Sequence, residues 1–346
     1  NSRIDGGFQN LPENTLHLNH SITVKSRRDS NVALGACLTS VVIADIFDIM
    51  IGAHSDGYIY IWRLCDMKLI EKKRYSRTFD SAVSFLRISS DQQWFLASDG
   101  DSFAVYKTSN RWRLHKRNMG YPIGDIAISE NRSYVAVKHR MENSCDLVEM
   151  TQSKWNMIHP VKSRLLPRRD DLQCHESGGL NFLDDNHLVV QGPNGPQIHD
   201  LINPHKRTRS GSGIIVSAHP SLPWRAHLCK PCVLTIEDRS DGEPQDFLLR
   251  KDTVNFWFLS EHKIALEARD GKVFIFDRRG KEYTCIFDPA NHSSLKDWKI
   301  AGVIATGSQL EMILYNGFEI NKYTDSNEDQ RVNYLFGRKY ARRSLL

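Results

Sequence analysis

The most regular pattern of apolar and polar positions runs from Phe47 to Tyr75, FDIMIGAHSDGYIYIWRLCDMKLIEKKRY. It predicts three strands joined by two turns. Phe47 to Ala53 is an apolar run of strand length. His54-Ser55-Asp56-Gly57 is a turn, because glycine takes positive φ at no steric cost and aspartate tolerates it. Tyr58 to Leu64 is β-branched and aromatic, which suits a pleated surface. Cys65-Asp66-Met67 reverses the chain, and Lys68 to Tyr75 completes the unit.

The unit recurs at a period of about 40 residues, the spacing of propeller blades. With strand a innermost and strand d outermost, blade one adds a strand a near Leu38 to Asp45 and ends at Tyr75. Blade two runs from Ala82 to Arg117, blade three from Pro122 to His159, and blade four from Gly179 to Arg209. Blade five runs from Gly213 to Arg250 and blade six from Thr253 to Phe287. Blade seven covers Ile300 to Tyr323 and lacks a clear fourth strand. Thr15 to Ser26, TLHLNHSITVKS, belongs to no blade and alternates at Leu16, Leu18, Ile22 and Val24, with a slip at Asn19-His20. An open end would leave an unpaired sheet edge. This N-terminal strand is therefore expected to pair as the outer strand of blade seven. The chain reads as all-β, a seven-bladed propeller of four-stranded antiparallel blades over 15–325, between an N-terminal extension (1–14) and a basic tail (326–346). The one helix candidate is the tail, Glu328 to Leu346.

Three turns carry a family signature. Ser55-Asp56-Gly57-Tyr58-Ile59-Tyr60-Ile61-Trp62-Arg63 resembles the D-G-x-I-x-I-W-D pattern of the WD-repeat β-propeller family. Asp270-Gly271-Lys272-Val273-Phe274-Ile275-Phe276-Asp277 and Asp99-Gly100-Asp101-Ser102-Phe103-Ala104-Val105-Tyr106 are similar to it. The other blades match by strand rhythm alone. The family's Gly-His pair before strand a is essentially absent, so most blades lack the His–Asp–Ser/Thr–Trp hydrogen-bond network. Apolar packing between blades is expected to carry more of the stability. The resemblance implies a scaffold that binds proteins, usually on the face carrying the d–a and b–c loops.

Charge gives that face a sign. Over 346 residues the net charge is +5, which by itself does not indicate nucleic acid. Sorted by loop, however, Arg74, Arg77, Lys116, Arg117, Lys206, Arg207, Arg209, Arg250 and Lys251 fall in the d–a connections and strand d ends. The long loop from Pro160 to Gly178 adds Lys162, Arg164, Arg168 and Arg169. The a–b and c–d connections run acidic: Asp66, Asp91, Glu130, Asp184, Asp185, Asp241 and Glu261, with Arg278, Arg279 and Lys281 as exceptions. A basic rim suits an acidic or phosphorylated peptide, or a nucleic-acid backbone, because arginine offers paired donors to phosphate or carboxylate oxygens. The bland alternative is that these cations are simply solvated. The candidate partner-binding residues are Arg74, Arg77, Arg117, Lys162, Arg164, Arg168, Arg169, Arg207 and Arg209.

Other chemistry finds little support. Cys229-Lys230-Pro231-Cys232, with His227 nearby and Cys174-His175 elsewhere, supplies part of a zinc ligand set. It falls on a hairpin, and no second Cys-x-x-Cys exists, so no metal is expected. Among the inner strands Asp125 is the one obvious acidic group, and one carboxylate makes no acid–base pair. No nucleophile elbow or phosphate-binding loop is present. No enzyme activity and no cofactor are expected. The tryptophans, among them Trp62, Trp94, Trp112, Trp155 and Trp224, read as core packing rather than base-stacking platforms. The tail's Arg331, Arg338, Lys339, Arg342 and Arg343, interleaved with Tyr334, Leu335 and Phe336, suit either partner docking or plain flexibility.

No apolar run approaches membrane-helix length, and the N-terminus is not a signal peptide. It lacks Met, so the chain is expected to be a piece of a longer protein. Seven scattered cysteines point to a reduced, intracellular protein, cytoplasmic or nuclear. Chance sequons at Asn19, Asn131 and Asn291 carry little weight. The expected function is a non-enzymatic interaction scaffold or substrate-recognition propeller, a subunit of a larger complex such as a ubiquitin ligase. The alternative is an RNA- or DNA-associated propeller using the same basic rim.

Overall fold

β-Branched and aromatic runs separated by turn residues fold as short antiparallel strands. The computed structural model describes residues 16–24, 37–75, 82–111, 113–131, 133–140, 145–150, 155–161, 180–182, 185–192, 195–201, 207–209, 215–218, 224–229, 232–238, 243–291, 295, 298–306 and 309–325. The first strand is β1 (His17–Thr23). The first sheet is β2 (Leu38–Ala44), β3 (Ile49–His54), β4 (Tyr58–Arg63) and β5 (Leu69–Arg74). The second is β6 (Phe85–Ile88), β7 (Trp94–Ser98), β8 (Ser102–Lys107) and β9 (Arg113–Asn118). The third is β10 (Ile123–Ile128), β11 (Tyr134–His139), β12 (Cys145–Met150) and β13 (Trp155–Val161). The fourth is β14 (Leu180–Phe182), β15 (His187–Gly192), β16 (Gly195–Asp200) and β17 (Arg207–Arg209). The fifth is β18 (Ile215–Ala218), β19 (Trp224–Cys229), β20 (Val233–Asp238) and β21 (Gln245–Leu248). The sixth is β22 (Thr253–Phe258), β23 (Lys263–Ala268), β24 (Val273–Asp277) and β25 (Glu282–Phe287). The last is β26 (Lys299–Thr306), β27 (Gln309–Tyr315) and β28 (Glu319–Thr324), with β1 as its fourth strand.

Within every sheet the strands pair in chain order, β1 excepted. The predicted register therefore holds sheet by sheet, and the N-terminal strand is where the edge argument puts it. β1 pairs antiparallel with β28, Ile22 opposite Ile320, and its register shifts between Leu18 and His20, at the predicted slip. There Asn19 donates Nδ2–H to Thr324 Oγ1 at 3.0 Å. The Asp-Gly turns also behave as read: Gly57, Gly100 and Gly271 take φ of 83°, 102° and 81°. Two of the boundaries that differ from the sequence reading have a structural cause or consequence. Asp45–Phe47 is a 3-10 turn ended by a left-handed Asp48 (φ 56°), so β3 starts at Ile49 and not Phe47. Asp48 is held there because its carboxylate accepts the Cys65 amide at 3.1 Å. β13 runs to Val161, two residues into the expected long loop. The rest of that loop and the tail lie outside the described residues. Among the described residues there is no α-helix.

The chain divides into two compact units. Lys25–Asn255 holds the first five sheets. Ile49, Ile51, Ile59 and Ile61 of the first sheet pack with Leu86, Phe95 and Tyr106 of the second. Leu96, Phe103 and Val105 of the second pack with Ile126, Val135 and Val148 of the third. Ala127, Ala136 and Leu147 of the third pack with Leu180, Phe182 and Leu188 of the fourth. Neighbours in sequence, such as Ile126 and Ala127, thus serve opposite faces. That is why these strands read as continuous apolar runs rather than as alternation. Each large side chain buried this way contributes roughly 1.5–3 kcal/mol. Close packing also fixes small residues: a Cβ on Gly52 would stand 2.7 Å from the Trp62 ring.

The other unit is Asn1–Val24 with Phe256–Leu346. It holds the last sheet and most of the sixth, whose β22 begins just before the boundary. Ala265, Val273, Ile275 and Phe287 of the sixth pack with Val303, Leu310, Met312 and Tyr323 of the last.

Candidate functional site

Register locates the predicted cations. β5, β9 and β17 are the terminal strands of their sheets. Arg74 closes β5 opposite Tyr58, Arg117 lies in β9 opposite Phe103, and Arg209 closes β17 opposite Gln197. Tyr58 opens β4, whereas Phe103 is the second residue of β8, so Arg117 lies one position further from its strand end than Arg74. Arg207, opposite His199, stands two residues further in. The structure describes only the backbone of Arg207 and Arg209. Arg77, Lys162, Arg164, Arg168 and Arg169 lie outside the described residues. Charge on an outermost strand has a second physical use, because lysine and arginine discourage edge-to-edge pairing.

Several neighbouring cations are drawn into the sheets. Lys116, on β9, donates to Asp99 at 3.1 Å and lies 4.2 Å from the Tyr75 ring centroid. Lys72, on β5, lies 4.4 Å from the ring centroids of both Tyr58 and Tyr60 and 3.8 Å from Asp56. Arg250, by contrast, stays exposed and holds Asp252 through paired bonds of 3.1 and 3.0 Å. The bracing expected to be missing is thus partly rebuilt around the same turn aspartates. Asp56 faces His54 Nδ1 at 2.8 Å and accepts the Tyr60 hydroxyl at 3.1 Å. Burial alone would raise its carboxyl. The bond and charge of His54, with the Tyr58 amide and Tyr60 hydroxyl, hold it below its ordinary value instead. In the third sheet Asp146 accepts the Tyr121 hydroxyl at 2.7 Å, with His139 stacked on that ring at 3.5 Å. Burial, then Asp146, pushes the Tyr121 hydroxyl well above its ordinary value.

The opposite face uses its acids as ties. Gln92 bonds Asp45, and Ser90 Oγ donates to Glu130 at 2.6 Å. The Asn131 amide donates to Asp185 at 2.8 Å. The a–b turns of the first four sheets are stitched in sequence by these bonds. Asp66, by contrast, sits in an exposed pair with Arg63 at 3.0 Å.

Asp125, the acidic group noted on the inner strands, is buried and saturated. Its Oδ1 accepts Arg87 Nη2 at 2.8 Å and Nε at 3.0 Å, and its Oδ2 accepts the Leu180 amide at 3.0 Å. It ties β6, β10 and β14 together. The cysteine-rich turn places Cys232 as a buried free thiol at φ 65°. Among the described residues no group of three or more His, Cys, Asp or Glu could hold a metal ion. Trp62 and Trp94 pack in or against the core, as the sequence reading has it.

One wiring pattern went unread in the sequence. Ser89 Oγ donates to Asp91 and accepts the Trp94 amide, while the Gln93 amide donates to Asp91. Ser129, Asn131, Ser133 and Tyr134 repeat this. The signal was present as Ser-x-Asp/Asn-x-x-Trp/Tyr, recurring one blade apart.

No family model and no curated protein matches the chain. Among solved structures, it is similar to the β-propeller domain of Cps50 (Swd1) from Myceliophteria thermophila. Identity is 14%, coverage is 89% of this chain and 99% of that one, and the TM-score is 0.59. KlHsv2 with its loop 6CD replaced by a Gly-Ser linker is similar at 11% identity, covering 81% of this chain and 90% of that one, with a TM-score of 0.54. Likeness at such identity is likeness of fold. With the strand register and the Asp-Gly turns, it makes the fold of this chain that of a divergent WD-repeat-like β-propeller.

Proposed function

We propose that the chain is a non-enzymatic protein–protein interaction scaffold, a seven-bladed propeller over 15–325 that holds an acidic or phosphorylated partner at its strand d ends. One observation carries the reading: Arg74 and Arg117 stand at and next to the C-terminal ends of outer strands in adjacent sheets, with Arg209 at the end of a third. Arginine forks at such positions suit carboxylate or phosphate. Arg77, Lys162, Arg164, Arg168, Arg169 and Arg207 extend the same basic surface in this reading. Closure into one ring is supported by the β1–β28 pairing, which joins residues 305 apart in sequence, Asn19 and Thr324. Among the described residues no helix is long and apolar enough to cross a membrane. Membership in a larger cytoplasmic or nuclear assembly, a ubiquitin ligase being one form, rests on the fold resemblance.

The test is retention of an array of acidic and phosphorylated peptides by the wild-type chain and by the triple variant Arg74→Glu, Arg117→Glu, Arg209→Glu. Loss of retention in the variant is expected, and identical profiles would sink the reading. The nucleic-acid alternative has a different signature. Its binding constant falls by about a thousandfold or more between roughly 50 and 200 mM salt, whatever the sequence.

A further inference from the structure

The outer strands of the first two sheets are joined into one wall. Lys73, on β5, donates to the Arg111 carbonyl. Glu71 takes Lys73 at 3.1 Å and Arg111 at 2.9 Å. Arg113, on β9, donates to the Tyr75 carbonyl at 3.2 Å. Lys116 covers the Tyr75 ring and bonds Asp99. The seam between the sheets is therefore lined by four cations, Lys73, Arg111, Arg113 and Lys116, against two carboxylates, Glu71 and Asp99. Arg113 is exposed and bonds a neutral carbonyl, so that bond leaves its charge uncancelled. At the head of β5, on the same wall, Leu69 is 47% and Ile70 39% exposed.

We propose that this seam is an interaction surface for an extended acidic protein segment with an apolar side chain at one end. The inference rests on the acidic-partner reading and deepens it by giving the partner a path. The apolar residue meets Leu69 and Ile70, and the carboxylates meet Arg113. Arg74 and Arg117 flank the path, each one residue on from a seam lysine, Lys73 or Lys116. Charge decides between a peptide and a polynucleotide. A nucleic-acid backbone carries a charge at every nucleotide and cannot avoid Glu71 and Asp99. A peptide can set neutral residues opposite those two and carboxylates opposite the arginine.

The experiment is fluorescence anisotropy with a labelled alternating Glu-Ala peptide ending in Leu, alongside a single-stranded oligonucleotide of equal length. Arg113→Glu is expected to weaken peptide binding about tenfold, and Leu69→Ser with Ile70→Ser several-fold. Glu71→Gln is expected to tighten it, a gain that a purely structural role would not produce. If Arg113→Glu fails to fold, the Leu69/Ile70 and Glu71 variants carry the same test. Unchanged affinity in all three, with loss on Arg74→Glu and Arg117→Glu, overturns the seam and leaves the broader reading standing. Preference for the oligonucleotide overturns the peptide assignment. No peptide binding by the wild-type chain overturns both.

Discussion

Asp56 and Asp91 stand in turns of neighbouring sheets, yet their environments push them in opposite directions. Asp56 is lowered, for the reasons given above. Asp91 is raised by burial, which its bonds from Ser89 and the Gln93 amide do not offset, and Glu130 adds to the rise. Their linkage to folding therefore has opposite signs. The contribution of Asp56 is complete above its ordinary value of 3.8 and disappears as pH falls through its lowered folded value. That of Asp91 is present at low pH and disappears as pH rises through its raised folded value. Asp56→Asn is expected to cost about 1 kcal/mol at neutral pH and to flatten the acid limb of stability. Asp91→Asn, which copies Asn131 of the next sheet, is expected to stabilise by about 0.5 kcal/mol at neutral pH. Urea unfolding across the acid range measures both. A destabilised Asp91→Asn at neutral pH would contradict the assignment.

At the scale of elements, β1 is the informative strand. The Val24 amide donates to the Phe318 carbonyl at 2.8 Å, which makes Ile22 and Ile320 the next hydrogen-bonded pair of the ladder. The Thr23 amide points away from β28. Proline removes a donor, so its cost depends on which way that donor faces. Ile22→Pro is expected to cost about 2–3 kcal/mol and Thr23→Pro much less. Equal losses in thermal or urea unfolding would mean that the β1–β28 ladder is not formed as described. The existence and partner of this strand were legible, because alternation at Leu16, Leu18, Ile22 and Val24 and the need to cover an edge both act locally. The start of β3 was not, because the left-handed Asp48 depends on the amide of Cys65, seventeen residues on.

At the scale of the whole molecule, stability in Lys25–Asn255 is expected to depend on ties between sheets as well as on their apolar seams. Asp125 is the clearest tie, holding β6 through Arg87 and β14 through the Leu180 amide. Asp125→Ala leaves a guanidinium and a buried amide without their acceptor and is expected to cost about 2–3 kcal/mol. Arg87→Ala keeps the Leu180 bond and should cost less. Hydrogen exchange at the Leu180 amide separates them: it accelerates in Asp125→Ala and stays near wild type in Arg87→Ala. Equal acceleration in both variants would refute the three-strand tie.

Strand positions, blade period and the Asp-Gly turns were open to reading because each depends on residues a few positions apart. Side-chain alternation follows from the pleat, and positive φ from the absence of a Cβ. The charges could also be sorted by loop. They did not show which cations are already matched, since Lys116 and Asp99 meet across a ladder. Nor did they show the Arg87–Asp125–Leu180 tie, whose members are 38 and 55 residues apart. Ion pairs between sheets depend on how one sheet is set against the next. No local periodicity encodes that distance, so the role of each charge became visible only in the folded chain.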